Sequence, residues 1–148
     1  MIFSRPCECA IHAMTYLAAT PGASARADEI AQAEEIPLPI LSKVLQELAR
    51  KGLLDSRRGP GGGFRLSRRP ELITLRDIVA AVDSLDEFLR CVTGLPNCSD
   101  ETPCPLHETW KQVRTSLMKS FESTTLLDMV EATARKRKAI HAKSRARS

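Results

Sequence analysis

Gly59-Pro60-Gly61-Gly62-Gly63 packs four glycines and a proline into five positions. No helix or strand interior tolerates such a run, because glycine loses the most backbone entropy on ordering and proline has no amide to donate. The run must be a turn. Leu53-Leu54-Asp55-Ser56-Arg57-Arg58 precedes it and Phe64-Arg65-Leu66-Ser67 follows it, so the three pieces predict a β-hairpin. A nucleotide-cradling loop does not fit: the Gly-Lys-Ser/Thr ending is missing, and the run does not lead from a strand into a helix.

Upstream of the hairpin the periodicity is helical. Ala10, Met14, Leu17 and Ala18, with Ile11 beside them, predict a first helix from about Pro6 to Ala19, ended by Pro21-Gly22. Asp28 to Glu35 reads as a short second helix with Ile30, Ala31 and Ala33 inward, and Ile36-Pro37-Leu38-Pro39 as a turn. Leu38, Leu41, Leu45 and Leu48 then mark a third amphipathic helix, Pro39 to Lys51, closed by Gly52. Its other face carries Ser42, Lys43, Gln46, Glu47 and Arg50. Helix, helix, turn, helix and hairpin in that order predict a mainly α chain with a small β wing. This is a winged helix-turn-helix over residues 1–73.

Residues 74–131 form a second region. Thr74 opens a helix with Asp77 three residues on, in a capping-box arrangement, and Leu75, Ile78, Val79 and Val82 on its buried side. Leu106, Trp110, Val113, Leu117 and Phe121 recur at steps of four and three, the seam of a long helix that predicts a homodimer. Thr125-Leu126-Leu127-Asp128-Met129-Val130 reads as a last short helix, and residues 132–148 as a disordered basic tail.

Net charge is +4, unevenly spread: residues 1–42 sum to −3, 43–69 to +6, 70–131 to −6 and 132–148 to +7. The +6 block lies within structured sequence and suits a polyanion. The basic tail reads either as a solvated end or as a non-specific nucleic-acid contact. No apolar run is long enough for a membrane span, and the start lacks the pattern of a signal peptide. A cytoplasmic, reducing setting is therefore expected, where an odd count of five cysteines suits ligands better than disulfides.

Three cysteines, Cys91, Cys98 and Cys104, lie in one irregular stretch with the turn-favouring Gly94, Pro96, Asn97, Asp100, Pro103 and Pro105 between and beyond them, and His107 follows. Core cysteines sit on apolar stripes; these do not. Thiolates gathered in a loop suit a metal or an iron–sulfur cluster. Zinc is disfavoured without a tight Cys-x2–4-Cys knuckle. A thiol-only switch needs a low-pKa cysteine, which Arg90 beside Cys91 would encourage. Cys9 reads as a small helix residue and Cys7 as a free, exposed thiol. On the hairpin, Arg57 and Arg58 precede the glycines, and Arg65, Arg68 and Arg69 follow. An arginine on a slim tip can enter the minor groove, and glycines such as Gly61 let the backbone approach phosphate. Ser42 and Gln46 can read base edges and Lys43 can reach phosphate or guanine. A double-stranded DNA operator is the expected partner. A small iron–sulfur electron carrier would explain the cysteines but not the basic wing. No Ser/His/Asp or paired-carboxylate spacing supports hydrolysis, so no enzyme activity is expected.

Ala10 to Ala18, Arg50-Lys51-Gly52-Leu53-Leu54, the wing Arg58 to Phe64, Ile78-Val79-Ala80-Ala81-Val82-Asp83, the three cysteines and the late Thr-Leu-Leu-Asp-Met-Val together resemble the Rrf2 family of bacterial transcriptional regulators, over about residues 1–130. The resemblance implies a dimeric winged-helix repressor that senses nitric oxide, redox state or iron–sulfur status. It implies a 2Fe–2S or 4Fe–4S cluster on Cys91, Cys98 and Cys104, a minor-groove role for Arg58 and base-facing roles for Ser42 and Lys43. For the fourth ligand it offers His107, three residues after the last cysteine, or Glu8 from the partner's first helix, or Glu8 with His12 one turn on. Six residues separate Cys91 from Cys98, one more than in the assembly-regulator pattern.

Overall fold

The computed structural model describes residues 2–147. In chain order the elements are α1 (Arg5–Ala18), α2 (Ala27–Ala33), α3 (Leu38–Arg50), β1 (Leu54–Arg57), β2 (Gly63–Leu66), α4 (Leu75–Val82), α5 (His107–Ser123) and α6 (Leu126–Ala146), with 3-10 turns at Pro70–Leu72 and Leu85–Leu89. The expected winged helix-turn-helix is present. Its element ends sit within about two residues of the sequence reading, for local reasons. Ser4 caps α1 by accepting from the Cys7 amide at 3.1 Å. Glu35, expected as the last residue of α2, instead has φ +54° and makes the turn.

The amphipathic stripes converge on α1, which packs against α3, α4 and α6. Met14, Ile30, Leu41, Leu45, Leu48, Ile73, Ile78 and Leu126 are fully buried in one cluster. Burying each such side chain stabilises the fold by roughly 1.5–3 kcal/mol. Ile78 of α4 and Leu126 of α6 share this core with the helix-turn-helix, so no separate core begins after residue 73. A backbone bridge sews the two together: the Leu75 amide donates to the Thr124 carbonyl and the Leu126 amide to that of Ile73, each at 2.8 Å. Capping boxes at Thr74–Asp77 and Thr125–Asp128 start α4 and α6 side by side.

β1 and β2 pair antiparallel, with Leu54 opposite Leu66 and Arg57 opposite Gly63. The wing is also pinned to the segment before α2. The Ala25 amide donates to the Phe64 carbonyl at 2.9 Å, and the Phe64 amide to that of Ala25 at 2.8 Å. Gly63 makes that approach possible: a Cβ there would lie 2.6 Å from the Ala25 oxygen.

A second cluster joins Cys7, Val79, Phe88 and Phe121, with Phe3 packed on it. The Phe3–Phe121 and Phe88–Phe121 ring centroids are 5.4 and 5.8 Å apart. The C-terminal half of the α5 seam is thus satisfied within the chain. Its other half is not: Val113 is about half exposed. With Ile2, Phe3, Phe88, Trp110 and Leu117 it borders an open groove of about 910 Å³.

Ala33, expected inward, and Leu38, the first leucine of the α3 stripe, are exposed, and two larger sequence expectations fail. Residues 132–146 are helical, not a disordered tail, because α6 continues through Ala146. No proline or glycine follows Thr125, and alanine, lysine and arginine are strong helix formers, so nothing stops the helix that the capping box starts. Cys7 is not an exposed thiol but fully buried, as is Cys9. Asp83 explains the Cys7 side. It accepts from the Ser4 amide at 3.1 Å and from the Ser4 hydroxyl at 2.5 Å, closing the start of α1 over its first turn. Burial and the Asp83 charge push the Cys7 thiol up to about 12, so it stays protonated and unreactive.

Candidate metal centre and nucleic-acid interface

The loop from Cys91 to Leu106 is built from turns that fold its thiols inward. Gly94 and Asn97 take left-handed backbone angles, φ +72° and +56°, which these two residue types accommodate best. Ser99 and Thr102 close a nested turn: the Thr102 amide donates to the Ser99 hydroxyl at 3.2 Å, and the Thr102 hydroxyl to the Asn97 carbonyl at 2.6 Å. Helix α5 holds the loop at its entrance. Trp110 Nε1 donates to the Arg90 carbonyl at 2.8 Å and the Arg114 guanidinium to the Leu89 carbonyl at 2.9 Å.

The result is a pocket of about 250 Å³ containing all three cysteines and His107. The three Sγ atoms lie within 4.8 Å of one another, with Cys91 and Cys104 3.6 Å apart. His107 Nδ1 is 3.2 Å from Cys98 Sγ, and the imidazole is only 14% exposed. Its orientation is fixed from behind. The Asp100 carboxyl is drawn down to about 2 by the Lys111 ammonium and by His107, so it is ionised and can only accept. His107 Nε2 therefore carries the proton it donates to Asp100 at 2.9 Å, and in the neutral ring the Nδ1 lone pair faces Cys98. A carboxylate behind an imidazole is the arrangement that orients histidine ligands. Asp100 is a site residue that sequence reasoning missed. Its distance in sequence from His107 follows no ligand spacing, and no linear signal marks it.

The thiols titrate apart. Hydrogen bonding from the Thr93 hydroxyl at 3.1 Å draws Cys91 down to about 6. Cys98 moves the other way: a backbone hydrogen bond from Cys104 favours its thiolate, but desolvation and the Cys91 and Cys104 sulfurs outweigh it. Three thiolates this close repel unless a cation shares them. The donor set, soft sulfur with one imidazole, fits a metal centre.

Neither Glu8 nor His12 lines this pocket. Glu8 pairs with Arg5 at 3.4 Å. His12 meets Glu34 at 3.2 Å, beside Arg137 of α6.

On the other side of the fold, α3 buries Leu41, Val44, Leu45 and Leu48, which turns Lys43 and Gln46 outward and leaves Ser42 half-buried. Arg57, Arg58 and Gly61 are exposed on the wing. Arg65 is engaged with Asp55 at 3.7 Å and Arg69 with Glu71 at 3.6 Å. Of the described cations between residues 43 and 69, Lys43, Lys51, Arg57, Arg58 and Arg68 have no carboxylate partner, whereas Arg50, Arg65 and Arg69 do. Uncompensated cations on a slender hairpin beside an exposed helix suit a phosphate backbone.

A helix-turn-helix with its wing pinned alongside, and a loop of thiols held against a separate helix, defines a protein of the winged-helix class. The chain belongs to the Rrf2 family: that family's model, described as an iron-dependent transcriptional regulator, matches residues 3–132. It is 33% identical over 132 residues to a protein of Aquifex aeolicus described as an HTH-type transcriptional regulator, covering 88% of this chain and 92% of that one. Among solved structures it resembles CymR, the global cysteine regulator of B. subtilis, with a TM-score of 0.74 and 26% identity, over 89% of this chain and 98% of that one. T. potens IscR is similar at a TM-score of 0.71 and 25% identity, over 90% and 88% of the two chains. No helix among the described residues is long and apolar enough to cross a membrane.

Proposed function

We propose that this regulator is a homodimer whose grip on a double-stranded DNA operator is set by an iron–sulfur cluster held by Cys91, Cys98, Cys104 and His107. The observation that carries this is the gathering of three sulfurs within 4.8 Å of one another, one of which, Cys98, is 3.2 Å from an imidazole held by an ionised carboxylate. When bound, such a cluster supplies a centre sensitive to nitric oxide, oxidants and iron supply, and it lets neighbouring thiolates coexist. His107 is favoured as the fourth ligand because it already faces Cys98 within the same chain, whereas Glu8, alone or with His12, would have to come from the first helix of a second copy. The loop's order passes to α5 through Trp110 and Arg114, and the exposed half of the α5 seam is the surface a second copy would cover. The spacing of the two α3 helices must match half-sites about one DNA turn apart. Control follows only if the two loop states differ in operator affinity. Ser42, Lys43, Gln46, Arg57, Arg58 and Gly61 are the proposed DNA contacts.

The test is anaerobic purification and reconstitution. The protein should be coloured and contain iron and acid-labile sulfide. His107→Ala should alter its visible spectrum and Glu8→Ala should not; the reverse pattern would transfer the fourth ligand to Glu8. Protein that stays colourless would exclude the cluster.

A cluster-free thiol switch has one specific support: the 3.6 Å approach of Cys91 and Cys104 with a readily ionised Cys91. Loss of two protons and two electrons to an added disulfide or peroxide would join them. In that reading Cys98→Ser leaves the switch intact, whereas in the cluster reading it abolishes it.

A further inference from the structure

Helix α6 runs well beyond the residues matched by the family, and its extension is strongly cationic. Residues 132–148 hold Arg135, Lys136, Arg137, Lys138, Lys143, Arg145 and Arg147 and no carboxylate. The start of α6 is anchored in the core by Leu126, Met129 and Val130, and Met129, Val130, Thr133, Ala134 and Arg137 line the groove against α1. At 100° per residue, Arg135 falls opposite the groove-facing residues, and Lys136, Lys138, Lys143 and Arg145 fall on the two flanks, within about 100° of it on either side; all five are exposed. Arg135 reaches Glu131 at 4.0 Å and Arg137 reaches Glu34 at 3.3 Å. Among the described residues, the other five cations have no ion-pair partner. Like charges one turn apart, such as Arg135 and Lys138, destabilise a helix. A polyanion alongside would offset that cost.

The position of the extension selects the polyanion. Glu34 caps the C-terminal end of α2 and leads into the turn before α3. The Arg137–Glu34 pair therefore places the extension beside the helix-turn-helix itself. Nine further helical residues reach about 13.5 Å past that point, the length of roughly four phosphates along one strand. We propose that residues 135–147 form an accessory arm that lies along the phosphate backbone flanking the operator half-site, adding affinity without reading sequence. This rests on the DNA-binding reading above, not on the cluster.

The test compares the full-length wild type with a K136Q/K138Q/K143Q/R145Q variant. The operator is first selected by the wild type from randomised duplexes. It is then prepared with long flanks or trimmed to the half-sites, and affinity is followed across KCl concentration by fluorescence anisotropy. Circular dichroism checks that the variant remains helical. On the long duplex the variant should bind more weakly, with a log K against log salt slope shallower by about 0.9 for each phosphate it no longer neutralises; on the trimmed duplex the two proteins should bind alike. Equal slopes on both duplexes, with operator binding intact, would overturn the arm alone. So would an unchanged slope with lost binding to phosphatidylserine vesicles, which would assign the cations to an anionic surface. Failure of the wild type to select any duplex would remove both the arm and the DNA-binding reading.

Discussion

Replacing Gly63 with alanine separates two roles of glycine in the wing. At Gly63 the backbone has φ +134°, and an added Cβ would meet the Ala25 oxygen at 2.6 Å and its carbonyl carbon at 2.8 Å. Both neighbours are backbone, so no rotamer change relieves the clash. An alanine at that backbone angle is strained by about 1–3 kcal/mol, and because the clash is with Ala25 itself the Ala25–Phe64 bridge must part as well. Losing its two hydrogen bonds, 2.9 and 2.8 Å long, costs about 0.5–1.5 kcal/mol each. The two costs together give an expected destabilisation of about 2–6 kcal/mol, read as a shift in urea midpoint without a change in m-value. Gly61 is the control. Its φ is +71°, but nothing lies within 4 Å of a Cβ there, so Gly61→Ala should cost only about 1–2 kcal/mol. Operator affinity should fall further for Gly63→Ala than for Gly61→Ala, because only the former moves the whole wing off its anchor. Equal midpoints for the two variants would refute the reasoning, since the pinning contact would then carry no energy.

Arg58→Ala should weaken operator binding about tenfold or more, on the scale of about 1–3 kcal/mol for a groove-reading arginine, with an unchanged thermal midpoint; equal affinity by anisotropy would take the wing tip out of the interface. Phe121→Ala removes the ring shared by Phe3 and Phe88 and should cost about 3–5 kcal/mol in chemical denaturation; a loss below about 1 kcal/mol would mean that this cluster does not anchor α5. The Asp128 carboxyl is held below the usual carboxylate range, first by the backbone hydrogen bond from Thr125 and then by its hydroxyl. A carboxyl lowered on folding stabilises above its unfolded pKa, and that contribution disappears as pH falls through the folded value. The thermal midpoints of wild type and Asp128→Asn should therefore differ at pH 6 and converge as pH drops below about 4; a constant gap across that range would refute the capping role.

Local signals make most of this fold legible. Gly59 to Gly63 can only turn, the leucine spacing of α3 can only face one way, and the Thr74–Asp77 pair marks its helix start without help from distant residues. The cysteine trio is visible because three thiols among prolines have no packing explanation. What stays hidden depends on approach through space. The reach of Phe64 to Ala25 links residues far apart in the chain, and Asp100 acts on His107 only because the loop folds back. Cys7 reads as exposed because it sits in the first turn of α1, beside the charged Arg5 and Glu8. It is buried because Val79, Phe88 and Phe121, far along the chain, pack on it, with Asp83 bonded to Ser4 beside it.

The basic extension departs from its sequence expectation for an instructive reason. Its charge and low hydrophobicity favour disorder when the segment is considered by itself, but it does not start by itself. Leu126 is fully buried in the core, its amide bonded to Ile73, so the costly first turn of α6 is nucleated by tertiary structure. Each further residue adds one hydrogen bond to a helix already begun, in a stretch rich in alanine, lysine and arginine that has no proline or glycine to interrupt it. The same anchoring decides where the cations sit. A disordered tail would spread them through solvent, whereas a helix fixed at Leu126 and paired at Arg137 with Glu34 sets the direction in which they leave the helix-turn-helix, on the same molecule as the wing arginines.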